Sequence, residues 1–203
     1  MIRTALKFIQ SELERYIVAR EQDPSYSPGQ VVDLKSVIKP NGDSNITDTT
    51  HVTLMLVGVD EVRREGKRPY YVATSNQEFA KLNPPLELDL FVLFVANNAA
   101  YDTALRDLSD VIAFFQSNPV FDAAHYPALN DSVSDQAAKP WQLIERLSTS
   151  VHSMGFDQMN NLWGILGSRY MPSIAYRVRM LTFFETRSRE QIAAITDLHL
   201  GEN

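Results

Sequence analysis

Four histidines, His51, His125, His152 and His199, are the first candidates for metal or acid–base chemistry in this chain. No two of them stand three, four or five residues apart, the spacing that puts paired ligands on one helix turn or in one zinc motif. They read as isolated surface or structural histidines. The sequence contains no nucleophile elbow, phosphate loop or dinucleotide fingerprint. Its nearest glycine pair, Gly164-Ile165-Leu166-Gly167, lies in and just after an apolar helical segment and suits a helix stop better than phosphate binding. With no cysteine present, disulfides, thiolate metal sites and a thiol nucleophile all drop out.

Charged residues repeat at strand spacing in two places. Glu87 and Asp89 share one face of an apolar run, the arrangement by which two carboxylates could be presented for proton transfer. Arg177 and Arg179 repeat the pattern with the opposite sign. Complementary pairs on two strands suit neighbours in a sheet or a subunit boundary, where each opposite-charge pair contributes about 0.2–1 kcal/mol to register. Arg63, Arg64, Lys67 and Arg68 form the basic cluster, interleaved with Glu61 and Glu65. It reads as a solvated hairpin tip, or a docking point for an acidic protein surface.

The elements that must hold these groups are legible from hydrophobic period. Ile2, Ala5, Leu6, Ile9, Leu13, Tyr16 and Ile17 recur at helical spacing, and Asp23-Pro24 ends the segment. Val31 to Ile38 predicts a short strand. His51 to Val59, apolar on both faces, predicts a central strand, and Tyr70 to Ala73 a further one. After Pro84-Pro85, residues Leu86 to Ala96 give the clearest strand: Leu86, Leu88, Leu90, Val92 and Phe94 alternate with Glu87 and Asp89. Tyr101, Ala104, Leu105, Leu108, Val111, Ile112 and Phe115 predict a helix whose apolar stripe faces the core, ended by Ser117-Asn118-Pro119.

Beyond it, residues 122–140 read as an exposed loop and Trp141 to Leu147 as a strand. Phe156, Met159, Leu162, Trp163 and Leu166 predict a second core-facing helix. Ile174, Tyr176, Val178, Met180, Thr182 and Phe184 alternate along a last strong strand. The adjacent pairs Phe114-Phe115 and Phe183-Phe184 should each send one ring away from the main apolar face. Residues 1–186 make one domain, and residues 187–203 an arm with weak strand character from Ala193 to Leu200. The order of elements predicts an α/β (α+β) fold, a mixed β-sheet flanked by two or three helices.

The chain has 203 residues and a formal net charge of −6, so counterion release gains it little on nucleic acid and a nucleic-acid partner is not expected. Its longest apolar stretch, Leu90 to Ala96, is too short to cross a bilayer, and no membrane partner is expected. The first residues lack the signal-peptide pattern, so cytoplasmic synthesis and assembly are expected.

Three stretches carry a family resemblance. They are Pro84 to Phe94 (PPLELDLFVLF), Tyr101 to Phe121 (with LRDLS and FFQSNPVF), and Asn161 to Met180 (NLWGILGSRYMPSIAYRVRM). In this order, with the N-terminal helix, they resemble the cap or terminator proteins of extracellular contractile injection systems of the antifeeding-prophage and virulence-cassette type. The resemblance runs from about Ile2 to Phe184. It implies a phage tail-terminator-like fold and a homo-oligomeric ring, with six subunits expected. That ring would be seated on the tube and sheath proteins and become part of the released particle. It implies no catalytic residue and no cofactor. Arg63, Arg64, Arg68, Glu87, Asp89, Arg177 and Arg179 are then candidate subunit or partner contacts. The alternatives are the tail terminator or completion protein of a true phage, or an enzyme using Glu87, Asp89 or a histidine.

Overall fold

The computed structural model describes residues 1–46, 51–62, 70–74, 78–82, 86–136, 138–139, 142–182 and 190–193. Helix α1 spans Ile2–Glu21 and buries Ala5, Leu6, Ile9, Leu13 and Ile17 of the stripe its period predicts, with Phe8 added to it and Ile2 and Tyr16 only partly buried. It closes at Gln22 in the left-handed conformation, whose N–H reaches Val18 O. Strands β1 (Val32–Leu34), β2 (Val52–Glu61), β5 (Leu86–Ala96), β6 (Val120–Asp122), β7 (Arg146–Val151) and β8 (Ser173–Thr182) form one six-stranded sheet in the order β1-β2-β5-β8-β7-β6. Only the β1–β2 pairing is parallel, so the sheet is mixed. A second sheet joins β3 (Tyr70–Thr74), β4 (Glu78–Leu82) and β9 (Glu190–Ala193) in the order β3-β4-β9.

Helix α1 and helix α2 (Tyr101–Ser117) cover one face of the large sheet, over Leu88, Leu90, Val92, Phe94, Tyr176, Val178 and Met180. The alternation read in β5 and β8 thus sends its apolar set into the main core. Helix α3 (Phe156–Leu166) lies on the other face, where Trp163 packs with Met55, Leu93, Val95 and Ala175. Gly167 ends α3 at φ 59°, a left-handed turn that glycine adopts without strain. Burial of both faces at this end explains why β2 and β5 read as apolar on both sides.

The structure corrects several expectations. In α2, Tyr101, Leu105 and Ile112 point to solvent, at 66%, 44% and 43% exposure. The buried arc is Ala104, Asp107, Asp110, Val111, Phe114 and Phe115. The helix is turned so that two aspartates face inward and half of the apparent stripe faces out.

Phe114 and Phe115 are both buried, because α2 sits between two partners. Phe115 meets Phe94 and Tyr176 on the sheet, while Phe114 meets Tyr16 of α1 and Phe121. Phe156, assigned to the core by period, is 91% exposed at the first turn of α3. The strand placed at 141–147 runs instead from Arg146 to Val151, and β1 is three residues long. β2 lies second from the edge rather than centrally. Tyr70–Thr74 pairs with β4, a strand the sequence reading missed, as it missed β6. Residues 190–193 pair with β4 of the same chain. Trp141, the Phe183-Phe184 pair, Arg63, Arg64, Lys67, Arg68 and His199 lie outside the described residues.

Candidate functional site

Helix α3 covers only one end of its sheet face. The other end is a charged surface built from paired rows across β2, β5, β8 and β7. Asp60, Asp89, Arg179 and Ser148 form one row. Gly58, Phe91, Arg177 and Ser150 form the next, and Glu87, Leu181 and Arg146 flank them on the other side. Directly paired residues in an antiparallel ladder project to the same side, so all of these belong to one face. A β-bulge between Leu56 and Gly58 sets the β2 register. A side chain at Gly58 would meet the Phe91 ring at 3.4 Å.

Four of the charges singled out in the sequence meet here. Arg179 donates to Asp89 through two parallel bonds, Nε to Oδ1 at 2.8 Å and Nη2 to Oδ2 at 3.0 Å. That fork geometry is the strong form of an ion pair, and it holds the Arg179 guanidinium above the usual arginine range. The Asp89 side chain is 10% exposed and Arg179 37%, so the pair is half sunk in the sheet and fixes the β5–β8 register. Arg177, two residues away, donates from Nε to Ser150 Oγ at 3.3 Å and is exposed. Glu87 sits at the rim of the shallow cleft lined by Arg146, Ser148, Arg179 and Leu181. Asp89 therefore meets Arg179 across one strand pair and stands opposite Asp60 across the other, while Glu87 stands opposite Leu181; the fork with arginine suits adhesion more than proton transfer.

A second polar constellation was missed in the sequence. It joins the end of α1, the following loop, the start of β2 and the inward arc of α2. Asp107, fully buried, accepts from Tyr26 Oη at 2.6 Å and lies 3.3 Å from His51 Nδ1. His51 stacks on Tyr26 with ring centroids 4.1 Å apart, and its Nε2 lies 3.2 Å from Ser25 O. Arg106 donates to Tyr26 Oη at 3.0 Å and pairs with Glu21 at 3.3 Å. Arg20 pairs with Asp110 Oδ1 at 2.9 Å. Burial pushes Asp107 up from the ordinary carboxylate range, and burial first, then the Glu21 charge, pushes Asp110 up to about 6.

Asp110 Oδ2 is buried and meets no donor, and the nearby Glu21 charge further disfavours its ionised form. Apart from Asp110 Oδ2 this cluster is engaged by its own chain, and it acts as a clamp between α1 and α2. The one sequence signal for it was the placement of Asp107 and Asp110 on the arc of Ala104, Val111 and Phe114. His125 pairs with Asp122 at 2.8 Å, and His152 lies against Phe91 with centroids 4.8 Å apart. Among the described residues no group of three or more metal-type ligands converges.

Against known proteins, the chain is similar in fold to the sheath/tube terminator of an extracellular contractile injection system (PVC) in its extended state. The TM-score is 0.66 at 15% identity, over 100% of this chain and 63% of that one. It is also similar to the tube-terminating cap of the anti-feeding prophage, at a TM-score of 0.59 and 14% identity, over 99% of this chain and 60% of that one. The chain thus spans less than two thirds of the length of either solved structure. No curated protein matches it. The model of the Pvc16 N-terminal domain matches residues 4–197, which takes in α1, both sheets, α2 and α3. The chain belongs to the Pvc16 N-terminal domain family.

Proposed function

We propose that this chain is a structural cap that ends the inner tube and contractile sheath of a phage-tail-like injection particle. The observation that carries the reading is the agreement of the whole chain with the fold of a sheath/tube terminator, within a family match over residues 4–197. The site geometry supports it. Charged and apolar surface is laid out on sheet and helix faces, and the buried Asp107 is bound up in hydrogen bonds between elements of the fold. The physical mechanism is termination by mismatch. A tube or sheath grows because each layer presents the same surface to the next, and a cap that matches on one side only stops growth.

In this reading six copies close into a ring, which multiplies weak contacts at the particle end. Arg63, Arg64, Arg68, Glu87, Asp89, Arg177 and Arg179 serve as contacts with neighbouring subunits or with tube and sheath. The chain works without a catalytic residue or cofactor and is assembled in the cytoplasm before the particle leaves the cell. The phage tail-completion and enzyme readings have no comparable observation behind them. Electron cryo-microscopy of particles made with and without the chain tests the proposal. A ring of this fold at one end, and particles of uncontrolled length in its absence, are expected. Unchanged lengths, with no such density at either end, would refute it.

A further inference from the structure

Helix α3 is held to the domain by much less than the other two helices. Of its 11 residues only Trp163 is buried, whereas α1 buries seven and α2 six. Phe156 and Ile165, both large and apolar, stay exposed in the present seat. Among the described residues, every hydrogen bond of α3 stays between Gly155 and Ser168.

The ring that anchors the helix is imperfectly matched. The Trp163 indole N–H is buried with no acceptor, which offsets part of what burying the ring gains. Around it stand Met55, Met154, Met159 and Met171, thioether side chains that tolerate a change of shape better than branched ones. The helix is also weak in itself. Asn160, Asn161 and Gly164 occupy its middle, and each is a poorer helix former than alanine, glycine by a factor of about four to five. Packing does not call for a glycine at 164, since a Cβ there would meet nothing within 4 Å. An isolated helix this short is not stable in water, so α3 loses its structure when it leaves the sheet.

From these observations we infer that α3 is a releasable strap. It detaches and unfolds as a unit while α1, α2 and the large sheet stay folded, and Trp163 is its latch. Release bares Met55, Leu93, Val95 and Ala175. Met55, Leu93 and Ala175 form the row next to Gly58, Phe91 and Arg177 on the same side of the sheet. The face that carries the charged surface therefore has a covered and an uncovered form. Local openings range from almost free up to the cost of global unfolding, and elements with few buried contacts open first. The inference stands apart from the cap reading, since it depends only on how one helix is held.

Because the chain has no cysteine, a thiol placed beneath the strap reports its release. Ala175→Cys puts one under α3, and Val178→Cys puts one in the main core; both positions are buried. When reclosing is fast, the rate of reaction with a thiol reagent follows the population of the open form. The Ala175→Cys thiol should react at least about a hundredfold faster than the Val178→Cys thiol. Adding Gly164→Ala should slow the Ala175→Cys reaction by about four- to fivefold.

Hydrogen exchange of the unsubstituted chain, read on peptides by mass spectrometry, repeats the comparison should a cysteine variant fail to fold. Residues 155–167 should then exchange at least about a hundredfold faster than β5. Rates within about tenfold of each other in the two regions, by labelling or by exchange, would overturn the inference. So would an Ala175→Cys rate that Gly164→Ala leaves unchanged.

Discussion

Acidification should stabilise this domain before it destabilises it, and Asp110 is the reason. Its side chain is 3% exposed. One oxygen is paired with Arg20, while the other is buried beside Glu21 with no donor. Burial raises its folded-state value from the ordinary 3.8 to about 6. A carboxyl raised on folding holds its proton more tightly in the native state. The stability it contributes is therefore complete below pH 3.8 and is lost as pH rises through about 6.

At about 1.4 kcal/mol per pH unit, the full difference approaches 3 kcal/mol, and about 1.4 kcal/mol of it appears between roughly pH 7.5 and pH 5. For a domain of this size that is a rise of about 3–5 °C in melting temperature. Asp107, also raised by burial, acts in the same direction. The assay is thermal unfolding by circular dichroism at a series of pH values, for the native chain and for Asp110→Asn. The asparagine should raise the melting temperature at neutral pH and flatten its rise on acidification. If the native chain instead loses stability steadily from neutral pH downward, and Asp110→Asn follows it in parallel, the argument for a buried carboxyl that keeps its proton fails.

Other outcomes follow from the same packing. Removing the guanidinium in Arg179→Ala leaves Asp89 partly buried without its fork and should cost about 1.5–3 kcal/mol in chemical denaturation. The swap Asp89→Arg with Arg179→Asp should recover part of that loss, and a cycle showing no coupling would refute the register role. Trp163→Ala empties the anchor of α3 on the second face and should cost about 3–5 kcal/mol; an unchanged melting temperature would refute that role. Deleting residues 187–203 removes β9, whose pairing is with β4 of the small sheet. The truncated chain should keep its far-ultraviolet dichroism while ring formation or capping weakens; unfolding would show that the segment belongs to the core.

The strongest elements were legible because their pattern is local. Alternation in Leu86–Ala96 and Ser173–Thr182 sets which residues meet the helices, and it needs no knowledge of neighbours to be read. The helix from Tyr101 to Ser117 was equally clear in extent, but its rotation was not. Leu105 and Ile112 satisfy the helical period as well as Val111 does. Only the position of α1 and the sheet decides that the arc bearing Asp107 and Asp110 turns inward. The pairs Glu87/Asp89 and Arg177/Arg179 announced a complementary face, yet which arginine meets which carboxylate depends on the β5–β8 register. Tyr26, His51 and Asp107 are far apart in sequence, and their hydrogen bonds exist only because a loop, a strand start and a helix converge. The sequence by itself determined the long, strongly periodic elements and which of their strand faces are apolar, since both follow from residue period, whereas the short strands β4 and β6 carried no such signal. Tertiary structure alone decided strand order, helix rotation and the partners of every buried charge, because those depend on which surfaces meet.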